Sequence, residues 1–229
     1  MGNNIALSDI YDKKFYNTRI DSSYKSALKY AKYLTSYYTP HTVIDIGCGR
    51  GSWLKAFKQY GAMKLIGIDG PWNNQSHMID QSIVFHAIDL NVLENIIITE
   101  RIDLAISLEV AEHLEPESAV TMIDFLTSLS DVVMFGAAFT AQGGENHINE
   151  QPHTYWAKLF IERNYSVYDI FRPVFWGDVD IKFWYQQNTF LYVRNNSTAH
   201  DLLITKGVRP LKNIAFMDCI HPSLYSLKL

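Results

Sequence analysis

Three glycines at alternating positions, Gly47, Gly49 and Gly51, directly follow a short apolar run that contains one acid, Asp45. Glycine loses the most backbone freedom on folding, so this density indicates a place where the backbone turns sharply or approaches another molecule closely. The spacing is one residue shorter than that of the dinucleotide fingerprint, and the Lys-Ser/Thr pair of a phosphate-binding loop is missing. An acid beside such a turn suits a ligand with a positive centre or an amine better than it suits a phosphate.

A second group of residues able to do chemistry is Glu109, Glu112 and His113. On a helix, positions i, i+3 and i+4 share one face, so two carboxylates and one imidazole would converge. Hard oxygen ligands together with borderline nitrogen ligands suit Mg, Mn or Zn. This spacing therefore predicts a divalent-metal site.

A polar stretch between residues 141 and 153 carries a third group of such residues. A neutral imidazole is a natural base for a hydroxyl near pH 7, so His147 and His153 are the candidate bases, with Glu150 as an accompanying catalytic carboxylate. His147 is also a candidate fourth metal ligand. The alternative is a solvated polar loop whose side chains cap the following helix.

The elements that must position these residues follow from hydrophobic periodicity. Strands are predicted over 42–47, 64–69, 83–90, 102–110, 131–139, 166–172 and 188–195, and helices over 22–38, 52–61, 111–130 (with a break near Pro116) and 154–165. Apolar strands that alternate with amphipathic helices indicate a sheet covered on both faces. We expect an α/β, Rossmann-like, doubly wound domain with seven mostly parallel strands, an antiparallel edge strand, and its ligand beyond the carboxyl ends of the strands.

Composition limits the function classes. The chain has 229 residues, of which 48% are hydrophobic, and this predicts one domain with short additions. The predicted elements divide the chain into a helical segment (1–39), interpreted as a cap on the substrate side, the α/β domain (40–195) and a C-terminal extension of unassigned role (196–229). Two distant cysteines and the lack of a signal peptide or an apolar span predict a cytoplasmic protein with no membrane span. The formal net charge of −4 disfavours a nucleic-acid partner.

Four segments, in order, carry a family resemblance: "VIDIGCGRG", "LIGID", "AIDL" and "SLEVAEHL". They resemble the motifs of class I S-adenosylmethionine-dependent methyltransferases. The resemblance implies that Asp69 binds the ribose hydroxyls of the cofactor and that Asp89 binds its adenine amino group. It implies cofactor contacts from Asp45, Gly47, Cys48, Gly49, Gly51, Trp53, Asp69, Asp89, Leu90, Leu108 and Glu109.

The Glu-x-x-Glu-His pattern is similar to that of small-RNA 2′-O-methyltransferases and of metal-assisted O-methyltransferases of the ubiquinone pathway. This implies a metal held by Glu109, Glu112, His113 and His147. The alternative is the commoner arrangement in which no metal binds, Glu109 lies near the cofactor and His113 caps or packs.

The polar loop and the segments after it also resemble bacterial methyltransferases of polysaccharide and secondary-metabolite biosynthesis. Trp156, Trp176, Trp184 and Tyr185 would then line a pocket for a sugar or aromatic ring, or else belong to the core.

The function expected from these patterns is O-methylation of a hydroxyl of a small molecule, such as a sugar or nucleotide-sugar, with S-adenosylmethionine as cofactor. Two alternatives stay open: a metal-dependent RNA ribose 2′-O-methyltransferase, and a non-catalytic cofactor-binding subunit. A homodimer is also left open.

Overall fold

The computed structural model describes residues 13–93, 96 and 98–227, and for residues 13–22 it describes the backbone alone. The strands in this part of the chain are β1 (Thr42–Ile46), β2 (Lys64–Asp69), β3 (Ile83–Ala87), β4 (Leu104–Leu108), β5 (Val132–Gly136), β6 (Tyr165–Tyr168) and β7 (Phe190–Arg194). The helices are α1 (Lys13–Thr35), α2 (Ser52–Gln59), α3 (Pro116–Leu129), α4 (His153–Glu162), α5 (Arg172–Phe175), α6 (Phe183–Asn188), α7 (Thr198–Thr205) and α8 (Pro222–Ser226). Short 3-10 turns cover Gln75–His77, Ala111–His113 and Ile214–Asp218.

The seven strands form one sheet in the order β3-β2-β1-β4-β5-β7-β6. β1 pairs in parallel with β2 and β4, and the pairs β2–β3 and β4–β5 are also parallel. Only β7, among the described strands, runs against its neighbours β5 and β6. The predicted seven-stranded, mostly parallel sheet is confirmed, and its antiparallel strand lies one position inside the edge.

Helices cover both faces of this sheet. Residues of α1 and α2 belong to one apolar core cluster, and residues of α3 and α4 belong to the other. Every residue of β1, β4 and β5 is buried, as expected for strands that are covered on both sides. The central strands therefore hold their carboxyl ends rigidly in place.

Several element boundaries differ from those predicted. The third strand ends at Ala87 and the fourth at Leu108, each before the acidic segment that the apolar pattern had included. The first helix already covers Lys13, well before the predicted start at residue 22. The helix after β4 begins only at Pro116, whose fixed φ suits the first helical turn.

The N-terminal helix α1 packs on α2 and on an aromatic group from the second half of the chain. The Tyr30 hydroxyl donates a 2.8 Å hydrogen bond to the backbone oxygen of Tyr185. Its ring lies 5.5 Å from that of Trp53 and 4.9 Å from that of Phe171. Residues 1–12 of the predicted cap lie outside the described part of the chain.

The C-terminal extension packs along the β6 edge and against α4. The Leu211 amide donates a 2.8 Å hydrogen bond to the Val167 oxygen of β6. The Asp218 carboxylate accepts hydrogen bonds from the backbone amide and the hydroxyl of Thr154, at 3.0 and 2.6 Å. Asp218 therefore caps the first turn of α4 from a distant part of the chain.

Replacing Asp218 by Ala should destabilise the protein by about 1–2 kcal/mol, because α4 loses the acceptor at its N-terminus. Urea unfolding measures this free energy. The control is Glu162→Ala, an exposed acid at the other end of α4, which should change stability by less than about 0.5 kcal/mol. Equal unfolding midpoints for the two variants would contradict a capping role.

Candidate active site

The glycine turn follows β1 directly, and all three of its glycines have positive φ. The angles are 80° at Gly47, 53° at Gly49 and 81° at Gly51, in the left-handed region that glycine adopts without strain. A Cβ added at Gly47 would lie 2.3 Å from a methyl carbon of Val110, so this position also lacks room for a side chain. The Gly47 amide is tied to the Ile68 oxygen at 2.8 Å, which fixes the turn against β2.

Two aspartates lie behind this turn. Asp45 is 2% exposed, and its Oδ2 has no hydrogen-bond partner among the described residues. Asp69, at the end of β2, accepts hydrogen bonds from the amides of Gly49 and Gly70, both at 2.7 Å. Burial raises the pKa of Asp69, and these amides partly offset the rise. Burial, with a smaller addition from the Asp69 charge, holds the pKa of Asp45 well above its ordinary value.

Trp72 and Asn73, which follow β2, also lie beside the glycine turn and Asp69, and they were not predicted as site residues from the sequence. The Asn73 amide donates to the backbone oxygen of Gly49 and lies 3.5 Å from the Asp69 carboxylate. The Trp72 ring lies over Gly70, where an added Cβ would be 2.1 Å from the indole. The only sequence signal was the Gly-Pro-Trp-Asn-Asn composition of this loop.

The other residues expected to contact the cofactor lie around the same edge of the sheet. Asp89 is exposed after β3, and one of its oxygens accepts from the backbone amide of Asn91 at 2.9 Å. Cys48, Trp53, Leu90 and Leu108 are buried. The ends of β2 and β3 are joined by a 2.8 Å hydrogen bond from the Ile88 amide to the backbone oxygen of Asp69.

Glu109 follows β4 and is held by two side-chain amides. Asn188 donates to its Oε1 at 2.8 Å, and Gln142 donates to its Oε2 at 3.1 Å. Its backbone φ is 59°, a strained value for a residue other than glycine. Burial raises the pKa of Glu109 to about 7, although the two amides oppose the shift. Sequence reasoning did not identify either amide, because both come from distant segments.

Glu112, His113 and His147 bring their potential ligand atoms within 4.8 Å of one another. We call these three residues the triad. The prediction that Glu109, Glu112 and His113 share a helical face is wrong, because Glu112 and His113 lie in the 3-10 turn between β4 and α3. Glu109 is not part of the triad, although its charge raises the pKa of Glu112 further.

The Glu112 carboxyl group is the most deeply buried acid of the site. Its residue is 0% exposed, and neither carboxylate oxygen has a well-formed hydrogen bond to a described residue. Burial is the main cause that holds its pKa well above the ordinary value. A carboxylate in this position requires a proton or a cation beside it.

Hydrogen bonds set the tautomers of the two triad histidines. His147 Nδ1 lies 2.8 Å from the Glu150 carboxylate, and His113 Nδ1 lies 3.2 Å from the Asn146 backbone oxygen. Because both partners are acceptors, Nδ1 carries the proton of each ring when that ring is neutral, which leaves Nε2 with the lone pair. The His147 ring fits only because Gly144 has no side chain, since an added Cβ there would lie 2.2 Å from Nε2.

Residues 141–152, which follow β5, are anchored to the turn that carries Glu112. The backbone oxygen of Glu112 accepts hydrogen bonds from the amides of Ile148 and Asn149, at 2.9 and 3.0 Å. The Gly143 amide donates to Glu150 at 2.6 Å, on the oxygen that faces His147. This loop therefore places His147 and Glu150 beside Glu112, as expected for the predicted polar loop over the site.

His153 lies elsewhere, at the start of α4, and is 2% exposed. Its Nδ1 is 2.8 Å from the Met217 backbone oxygen, and its Nε2 is 3.0 Å from Asn188 Oδ1. Burial lowers the pKa of His153. A neutral imidazole carries one N–H and donates to only one of these two oxygens at a time. The residue nevertheless lies between the C-terminal extension and the amide that holds Glu109.

Comparison with known proteins places this site in context. The family described as "methyltransferase domain" matches residues 18–171, more than half of the chain. No curated protein matched the sequence.

Three solved structures share the fold. An O-methyltransferase family protein from Burkholderia thailandensis has a TM-score of 0.58 at 12% identity, over 82% of this chain and 62% of that one. The small RNA methyltransferase HEN1 has a TM-score of 0.55 at 16% identity, over 86% of this chain and 27% of that one. Magnesium protoporphyrin IX methyltransferase from Synechocystis PCC 6803, with bound S-adenosylmethionine, has a TM-score of 0.51 at 18% identity, over 85% and 87%.

The sheet order, the glycine turn after β1 and the acid at the end of β2 agree with the family match. No helix in the described part of the chain combines the length and apolar character needed to cross a membrane. The chain therefore belongs to the methyltransferase domain family and is a class I S-adenosylmethionine-dependent methyltransferase.

Proposed function

We propose that the protein methylates a hydroxyl of a small molecule that contains a sugar ring, assisted by a divalent metal ion held by the triad. The observation that carries this proposal is the Glu112 carboxylate, which is fully buried without a well-formed hydrogen bond among the described residues and lies beside two histidines. The proposed site lies on the side of the sheet edge where Glu109 and the polar loop meet.

The residues around the glycine turn fit the cofactor. The unpartnered Oδ2 of Asp45 suits the cationic aminoacyl end of S-adenosylmethionine, and the side-chain-free Gly47 lets the ligand approach the backbone. We assign Asp69 to the ribose hydroxyls and the exposed Asp89 to the adenine amino group. When bound, S-adenosylmethionine supplies a methyl group activated by its sulfonium charge. Helix α1, through the contact of its Tyr30 with Trp53 of α2, is the proposed cover on this side of the site.

The donor set of the triad fits a divalent cation such as Mg, Mn or Zn. It offers one carboxylate and two imidazoles, a mixture of hard and borderline ligands. A carboxylate that accepts from the distal ring nitrogen, as Glu150 does for His147, is the usual partner of a metal-ligating histidine. Such an ion, when bound, would lower the pKa of a substrate hydroxyl and orient it.

Two carboxylates of the chain have the remaining proposed roles, which are to accept the hydroxyl proton and to orient His147. We assign Glu109 as the acceptor of the hydroxyl proton, because its pKa of about 7 is matched to neutral pH. Asn188 and Gln142 fix its carboxylate, and its oxygens keep further lone pairs for the proton. Glu150 orients His147, and His153 acts only at a distance, by holding Asn188.

RNA ribose 2′-O-methylation is the second candidate function. Glu109, Glu112 and His113 follow the Glu-x-x-Glu-His pattern of such enzymes, and the fold resembles that of HEN1. The formal net charge of −4 weighs against a polyanionic substrate.

Gly47→Ala should weaken binding of S-adenosylhomocysteine about tenfold or more, since the added methyl group collides with Val110 and forces the turn to shift. Isothermal calorimetry measures this affinity. The matched control is Gly207→Ala, which has the same kind of φ, 82°, and no atom within 4 Å of the added Cβ. If both variants bind as the wild type does, the turn is not the cofactor site.

Mn²⁺ added to the protein in the presence of S-adenosylhomocysteine should give a calorimetric binding signal, and Glu112→Gln should weaken it about tenfold to a hundredfold. The control is Glu145→Gln, which removes the charge of an exposed acid in the loop 141–152 that carries His147. This variant should bind the metal as the wild type does. Repeating the titration with Mg²⁺ and Zn²⁺ identifies the preferred ion. Absence of binding for all three ions would refute the metal-assisted mechanism.

Turnover identifies the acceptor. The protein, S-adenosylmethionine and Mn²⁺ should release S-adenosylhomocysteine with a glycoside or nucleotide-sugar, and chelation by EDTA should abolish the release. Release only with 3′-terminal RNA oligonucleotides would select the second candidate. If the cofactor binds and neither the glycosides, the nucleotide-sugars nor the RNA oligonucleotides support turnover, both candidate substrate classes are refuted.

A further inference from the structure

A chain of hydrogen bonds through two side chains, Gln187 and Asn188, connects the backbone of His221 in the C-terminal extension to Glu109. The His221 backbone amide donates a 2.6 Å hydrogen bond to Gln187 Oε1, and the Gln187 amide donates to Asn188 Oδ1 at 3.1 Å. Asn188 in turn holds the Glu109 carboxylate. The extension therefore reaches the acceptor side of the site proposed above.

Aromatic rings surround the His221 imidazole. The Trp176 ring centre lies 4.7 Å from it, and the Phe183 ring lies 6.2 Å away and nearly parallel to it, at 28°. Trp176 is 37% exposed and Phe183 is half-buried, so both rings have accessible surface. By contrast, Trp156 and Tyr185, also expected from the sequence to line a pocket, are buried at 1% and 7% exposure and belong to the core.

The hydrogen bonds of His221 determine where its proton lies. Its Nδ1 accepts a hydrogen bond from the Ser223 backbone amide at 3.2 Å, so in the neutral ring the proton is on Nε2. Burial lowers the pKa of His221 and so keeps the ring neutral. The residue is 6% exposed, and its Nε2 atom is buried without a hydrogen-bond partner among the described residues. Leaving such a donor unpaired costs about 1–3 kcal/mol, which a ligand acceptor would recover.

We propose that Trp176, Phe183 and His221 form the acceptor-binding subsite, in which a neutral pyranose ring stacks on the Trp176 indole and one of its oxygens accepts a hydrogen bond from His221 Nε2–H. A pyranose offers both features that this group of residues matches: an apolar face of C–H groups and oxygen acceptors at the rim. A neutral ring also avoids repulsion from the acids of the site. This subsite rests on the proposed function and defines its substrate class.

Saturation-transfer NMR tests the subsite directly, with the methyl α-glycosides of glucose, galactose, mannose and rhamnose as probes. The full chain is used with saturating S-adenosylhomocysteine, and affinities come from titrations of each glycoside. At least one glycoside should bind, and Trp176→Ala should weaken it about tenfold, a loss comparable to one good contact in a desolvated site. The matched control is Tyr225→Ala, which removes an exposed aromatic ring of the C-terminal extension and should leave the affinity unchanged.

His221→Asn separates the donor from the helix cap. Asn is a favoured N-cap residue, so it keeps an acceptor for the Ser223 amide and the variant should melt like the wild type. It lacks the Nε2–H donor, so glycoside affinity should fall about tenfold. Wild-type affinity in both Trp176→Ala and His221→Asn would overturn the subsite.

The S-adenosylhomocysteine titration in the same samples separates this inference from the function on which it rests. If the cofactor product binds and none of the four glycosides does, the subsite is wrong and the methyltransferase assignment stands. If S-adenosylhomocysteine itself does not bind, the proposed function fails.

Discussion

Burial of negative charge at the carboxyl ends of the central strands is the constraint on which this site depends. Asp45, Asp69, Glu109 and Glu112 all lie there, and burial raises the pKa of every one of them. Backbone amides offset this cost at Asp69, and side-chain amides offset it at Glu109. Oδ2 of Asp45 and both carboxylate oxygens of Glu112 lack a well-formed hydrogen bond among the described residues. These two positions are therefore where a positively charged ligand gains most.

The rest of the chain maintains this arrangement from a distance. Residues 141–152 hydrogen-bond to the Glu112 backbone and bring His147 beside it. The C-terminal extension anchors His153 through Met217, and His153 contacts the Asn188 side chain that holds Glu109. Rigid supporting contacts of this kind keep charged groups in place when their mutual repulsion favours separation. The extension thus contributes to the site although the cofactor motifs all precede it.

Local patterns in the sequence were enough to predict the sheet and the glycine turn, because strand burial and left-handed glycines leave periodic and spaced signals. Glu109, Glu112 and His113 were predicted to share a helical face, with His147 added from the polar loop. In the structure Glu112 and His113 lie in a 3-10 turn and meet His147 of the loop without Glu109. The amide of Asn188 left no signal, because it reaches Glu109 across 79 positions of the chain. His153 was predicted as a base from loop polarity, but the extension buries it, and contacts between distant segments cannot be derived from local composition.

In the proposed mechanism, a divalent cation balances the buried charge of Glu112 with help from both neighbouring imidazoles. Electron spin-echo envelope modulation of Mn²⁺ added to the protein in the presence of S-adenosylhomocysteine tests it most directly, since the method detects nitrogen bound to the ion. Modulation from two histidine nitrogens is expected. A spectrum of hydrated Mn²⁺ without nitrogen coupling would contradict it.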